Sequence, residues 1–74
     1  MTPAQIAVLS ALHPDHALTA LQIQRAAALT GHRTRTALSH LKSRGLITPA
    51  HPRGHYRITP RGRSAFLTKR ARFA

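Results

Sequence analysis

The sequence predicts a mostly helical α+β domain: three helices, a small β-hairpin and a closing helix. Three observations carry that expectation. Apolar residues recur every three or four positions in 6–12 and again in 34–41. Thr2-Pro3 and Thr59-Pro60 both read as helix starts, a capping hydroxyl followed by a proline whose missing N–H costs nothing there. Between Gly45 and Thr59 the texture turns β-prone around the turn His51-Pro52-Arg53-Gly54. At 74 residues and 42% hydrophobic, the chain can build one modest core, so residues 1–74 are read as one domain.

The first helix spans 3–12, with Ile6 and Leu9 turned inward and Val8 and Leu12 as further candidates. His13-Pro14-Asp15-His16 breaks it, since Pro14 cannot continue a helix. Ala17-Leu18 is a short extended link. Thr19 caps a second helix over 20–28, whose inward positions are Ile23 and Ala26 or Ala27, with Leu29 just beyond. Thr30-Gly31 opens a third helix running to Arg44. Its semi-apolar stripe is Thr34, Ala37, Leu38 and Leu41, opposite His32, Arg33, Arg35, Thr36, Ser39 and Ser43. Lys42 and Arg44 suit the negative end of the helix dipole, and Gly45 suits the left-handed residue just past it.

Leu46-Ile47-Thr48 follows as a strand, and Pro49 puts it at a sheet edge or strand end. Residues 56–59 alternate as a second strand, which completes the hairpin. The fourth helix runs from Pro60 to about Arg70 with Phe66 and Leu67 inward, and Gly62 weakens its first turn. The tail 69–74 is expected to fray.

Charge separates the chain into two halves. Twelve Lys and Arg face one acid, Asp15, for a formal net charge of +11. In residues 1–32 the charges are Arg25 and Asp15; the other eleven basic residues lie in 33–74, with no acid. A neutral packed half followed by a basic half points to a polyanion-facing surface. A GC-rich coding bias would explain why Arg outnumbers Lys. It would not explain the missing acids.

Several classes are excluded. Without cysteine there are no disulfides, thiolate chemistry or Cys-containing zinc modules. One carboxylate cannot form a general acid/base pair, and no Gly-rich phosphate loop or nucleophile elbow is present. The chain is therefore read as not an enzyme, with no cofactor and no apolar pocket for a small-molecule ligand. No apolar run approaches the ~20 residues that span a bilayer, and no signal-peptide pattern opens the chain, so a cytoplasmic, nucleoid-associated protein is expected. His13/His16 and His51/His55 are paired, but Pro-containing turns explain both pairs, and no metal site is assigned.

Three local patterns resemble one family. "LTALQIQRAAALT" (18–30) is similar to the second helix of winged helix-turn-helix domains in MarR-like and ArsR-like bacterial regulators. "TRTALSHLKSRGLI" (34–47) is similar to their recognition helix, and "YRITPRGR" (56–63) to the second wing strand running into a helix start. The resemblance covers Leu18 to Arg63. It departs from the family at Ala28, where the tight turn usually has Gly, and at Ser43-Arg44, where an acid usually stands. The wing is short, and 74 residues leave no room for long dimerisation helices. Family-style ligand sensing and dimer geometry are therefore not carried over.

The resemblance implies sequence-specific binding of double-stranded DNA by a small bacterial or phage transcriptional regulator. The chemistry of the residues agrees. A helix in the major groove presents polar side chains to base edges, here His32, Arg33, Arg35, Thr36 and Ser39. Arg33 or Arg35 could grip guanine O6 and N7. Gly31 and His32 offer helix N-terminal N–H groups to phosphate, and Gly31 allows close approach. The turn nominates Arg53, Gly54 and His55, with Arg57 behind them, for the minor groove or backbone. Arg61 and Arg63 suit phosphate or solvent, and Tyr56 suits packing under the wing. A homodimer on a two-part site is expected, joined through helix one or through the tail with Phe73. The alternatives are an RNA- or ribosome-associated basic module and a module that docks an acidic protein partner.

Overall fold

The computed structural model describes residues 1–73, with side chains through Lys69. Seven elements follow one another: α1 (Pro3–Leu12), β1 (Leu18–Thr19), α2 (Ala20–Ala27), α3 (Gly31–Ser43), β2 (Ile47–Ala50), β3 (His55–Ile58) and α4 (Pro60–Phe73). Ala74 and the Phe73 side chain, both in the tail expected to fray, lie outside the described residues.

Threonine starts every helix. Thr2 and Thr19 accept from the N–H groups of Gln5 and Gln22, whose side chains return to the cap N–H, so both form complete capping boxes. Thr30 accepts from the Arg33 N–H at 3.1 Å. Thr59 accepts from the Gly62 N–H at 3.0 Å, donates its hydroxyl to the Gly45 carbonyl at 2.7 Å, and donates its N–H to the Leu46 carbonyl at 3.1 Å. One threonine thus ties the end of α3 to the start of α4.

Val8, Leu9 and Leu12 of α1, Ile23 of α2, Ala37, Leu38 and Leu41 of α3, and Leu46, Ile47, Ile58 and Phe66 are all buried. Each fully buried aliphatic side chain stabilises the fold by about 1.5–3 kcal/mol relative to exposure. α1 packs on α2, α3 and α4, which makes it the hub. Buried Gln5 is no breach of the core. Its side chain reaches the Thr2 N–H at 3.3 Å and His40 Nδ1 at 3.3 Å, tying α1 to α3.

The structure alters several details. The sheet has three antiparallel strands in the order β1-β3-β2, not two: the extended link pairs through Leu18↔Tyr56 and Thr19↔His55. Pro49 sits within β2, tolerated because β2 is an edge strand. The second hairpin strand begins at His55 and ends at Ile58. α2 stops at Ala27, α3 at Ser43, and α4 continues past Arg70 to Phe73.

Leu67 is 49% exposed rather than inward. Adjacent helical residues lie about 100° apart, and Phe66 already occupies the inward position. Ala26 is exposed and Ile6 half-buried. Gly62, read as a weak point, is instead required: a Cβ there would stand 2.0 Å from the Leu46 carbonyl oxygen and 2.9 Å from Ile58 Cγ1.

Candidate nucleic-acid interface

α3 divides cleanly into an inner and an outer face. Thr34, Ala37, Leu38 and Leu41 point into the core. The Thr34 hydroxyl donates to the Thr30 carbonyl at 2.8 Å, so its burial leaves no unpaired polar group. At about 100° per residue, the direction opposite those four falls on His32, Thr36, Ser39 and Ser43. All four are exposed.

The two arginines do not share a face. Positions 33 and 35 are about 200° apart around the helix, so they flank this polar row on opposite sides. Arg33 lines the groove between α1 and α3, with His32, Thr36 and His40 beside it. Arg35 lines the groove between α3 and the sheet, with Ser39, Lys42 and Tyr56. A polar strip bordered on both sides by cations is well matched to a base-edge surface bordered by phosphates.

The start of α3 is open. Gly31 and His32 occupy its first turn, where N–H groups have no intrahelical partner. A Cβ added to Gly31 would find Gln24 Oε1 at 3.6 Å and Arg35 Nη1 at 3.7 Å, both ordinary contact distances. Packing therefore does not require glycine at 31.

In the β2–β3 turn, 51–54 are all exposed, and Gly54 has φ 89°, a left-handed conformation that favours glycine. Arg53 stands at this tip. His55 is half-buried, its Nδ1 enclosed without a hydrogen-bond partner, and it pairs across the sheet with Thr19. Arg57 turns elsewhere: its Nε lies 3.3 Å from Asp15 Oδ1, both side chains substantially exposed. Arg63 reaches the neighbouring Pro14 carbonyl at 3.4 Å. Arg57 and Arg63 thus meet the α1–β1 loop.

The structure therefore gathers His32, Arg33, Arg35, Thr36 and Ser39 around one helix, with Gly31 at its start, and sets Arg53 and Gly54 at the hairpin tip. Lys42 and Tyr56 join the groove beside Arg35, a role the sequence alone did not assign them. Helical spacing carried that signal for Lys42, seven residues after Arg35. For Tyr56 there was none, because its place depends on the sheet. Among the described residues, no three of His, Cys, Asp and Glu cluster as metal ligands, and no helix is long and apolar enough to cross a membrane.

No protein-family model matches the chain, and no curated protein does. Solved structures do. Bordetella bronchiseptica BpsR, whose DNA binding is regulated by 6-hydroxynicotinic acid, superposes with TM-score 0.84 at 28% identity over 92% of this chain. A MarR family transcriptional regulator of Silicibacter pomeroyi superposes with TM-score 0.78 at 19% identity over 96% of it. The chain spans 52% of each of those proteins. It has the winged-helix fold of these regulators. The regulation of BpsR by a small molecule runs against the expectation of no ligand, as a property of that longer protein.

Proposed function

We propose that this domain binds double-stranded DNA in a sequence-specific manner as part of a transcriptional regulator. The observation that carries the reading is the outer face of α3, where exposed His32, Thr36 and Ser39 are flanked by Arg33 and Arg35 with no acid nearby. In this reading α3 enters the major groove. His32, Thr36 and Ser39 meet base edges, and the arginines reach guanine or the bordering phosphates. The Gly31 and His32 N–H groups take a phosphate at the helix start. Arg53 and Gly54 at the hairpin tip meet the minor groove or backbone, with His55 and Arg57 in supporting positions behind them.

Occupying an operator would exclude or recruit polymerase. One domain of this size offers a small footprint, so two copies on a two-part site are proposed. Similarity at 28% identity to BpsR, itself a DNA-binding protein, supports the same assignment. The testing experiment is selection from random duplexes with the purified chain at about 150 mM salt, the winners compared with shuffled duplex. An enriched motif that is lost on Arg35→Ala is the expected result; retention of duplex without any motif overturns sequence-specific binding.

A further inference from the structure

A second cationic cleft lies where the C-terminal end of α3 meets α4. It is open to solvent and measures about 600 Å³. Arg44, Arg61 and Lys69 supply its charges, and Leu46 and Ala65 its apolar floor. Arg61, Ala65 and Lys69 recur every fourth residue and so share one stripe of α4. Arg44 is about 18 Å along α3 from His32, at the far end of the helix from the groove-facing turn.

Among the described residues, no ion pair engages these cations. The chain's sole acid, Asp15, sits against Arg57. Five carbonyls at this corner already accept hydrogen bonds. His40 accepts from the Arg44 N–H and the Ser43 hydroxyl, Lys42 from the Gly45 N–H, and Leu41 from the Leu46 N–H. Gly45 and Leu46 accept from the Thr59 hydroxyl and N–H. Lys69 is half-buried as well, which makes a missing counter-charge more costly.

Guanidinium and ammonium groups donate only, and the guanidinium fork matches phosphate oxygens in bidentate fashion. Three such groups lining one cleft beside Leu46 and Ala65, with no described acid among them, complement an anion rich in oxygens. We propose that this cleft is a second anion site, separate from the outer face of α3, taking a ligand that carries two or more phosphate groups. Those phosphates have two possible sources: the duplex backbone beyond the base-reading region, or a free polyphosphorylated compound.

The test uses the full chain with tripolyphosphate as probe, titrated calorimetrically at about 50 mM salt, where screening is weak. Wild type binds. R61Q/K69Q and, separately, R44Q lose about tenfold or more, as expected for charge-assisted contacts, while R35Q binds as wild type does. Unchanged melting temperatures show that the variants are folded. No binding by wild type, no loss in the cleft variants, or an equal loss in R35Q overturns the site.

The salt dependence of duplex binding then identifies the source. If the slope of log K against log salt falls by about 1.8 in R61Q/K69Q, two duplex phosphates were held there. An unchanged slope alongside lost tripolyphosphate binding assigns the cleft to a free ligand. Tripolyphosphate binding lost in the cleft variants and kept in R35Q reads the cleft whether or not α3 binds DNA.

Discussion

The starts of α2 and α3 use the same residue and differ in what they leave open. Thr19 accepts from the Gln22 N–H at 3.1 Å, and Gln22 reaches back to the Thr19 N–H at 2.8 Å. Thr30 accepts from the Arg33 N–H, but position 33 carries a guanidinium, which has no oxygen to return. α2 therefore closes its start internally. α3 keeps one more donor free, places glycine at its first position and turns a cation outward. α1 is closed in the same way as α2. Among α1, α2 and α3, the helix with the unfinished cap is the one whose outer face is polar and basic, as expected if its missing acceptors belong to another molecule.

Breaking the basic border of α3 has the largest expected effect. Arg35→Ala removes a contact of about 1–3 kcal/mol in base discrimination, so affinity for a selected operator falls roughly ten- to hundredfold while the melting temperature holds. A competition assay against shuffled duplex measures this, and preserved preference would remove Arg35 from the readout. Gly31→Ala separates the two helix starts further. With ordinary contacts around position 31, alanine should fold at least as well and gain up to about 1 kcal/mol of stability. Its methyl group would stand between the first N–H groups and a phosphate, so duplex affinity should drop by about tenfold, the size of one charge-assisted contact. Calorimetric melting and duplex binding on the same sample decide it; loss of stability would mean that the glycine serves the fold.

Most of this architecture was legible because it is local. Thr-Pro starts, the 34–37–38–41 stripe and Gly45 each declare themselves within a few residues. The sequence also showed the charged border of α3 and the turn at 51–54. Contacts distant along the chain were not legible. Gly62 looked like a defect until it met the Leu46 carbonyl, sixteen residues earlier. The Ala17-Leu18 link became a strand only once β3 lay beside it. Nothing in the sequence brings Arg57, on the second wing strand, to Asp15. Assigning Arg33 and Arg35 to one face overlooked the helical angle, which was available in the sequence.

Completing the cap on α3 sharpens the comparison from the other side. Arg33→Gln would give Thr30 the partner that Thr19 has in Gln22, satisfying one more donor and adding about 0.5 kcal/mol of stability. The same change removes one cation from the α1-side groove, so the salt slope of duplex binding should fall by about 0.9. Stability and binding are then expected to move in opposite directions. A variant that gains neither stability nor a shallower slope would show that position 33 is neutral to both.

The smallest expected effect concerns the end of α2, where no partner is involved. Both α2 and α3 close with the same pair of bonds. Leu29 donates to the Gln24 carbonyl and Ala28 to that of Arg25; Leu46 donates to the Leu41 carbonyl and Gly45 to that of Lys42. The residue that turns the corner is left-handed in each case, Ala28 at φ 56° and Gly45 at φ 72°. Glycine adopts this conformation freely, whereas a Cβ costs roughly 1–2 kcal/mol. Part of that is offset because glycine has more freedom to lose on folding, so Ala28→Gly should stabilise by about 0.5–1 kcal/mol net. Ala28 is exposed and lies behind the turn into α3, so duplex affinity should not change. A chemical denaturation midpoint reads the gain. If instead affinity fell with the added stability, the angle between α2 and α3 would have shifted, and the stiffness of alanine at this corner would belong to the interface rather than to the fold.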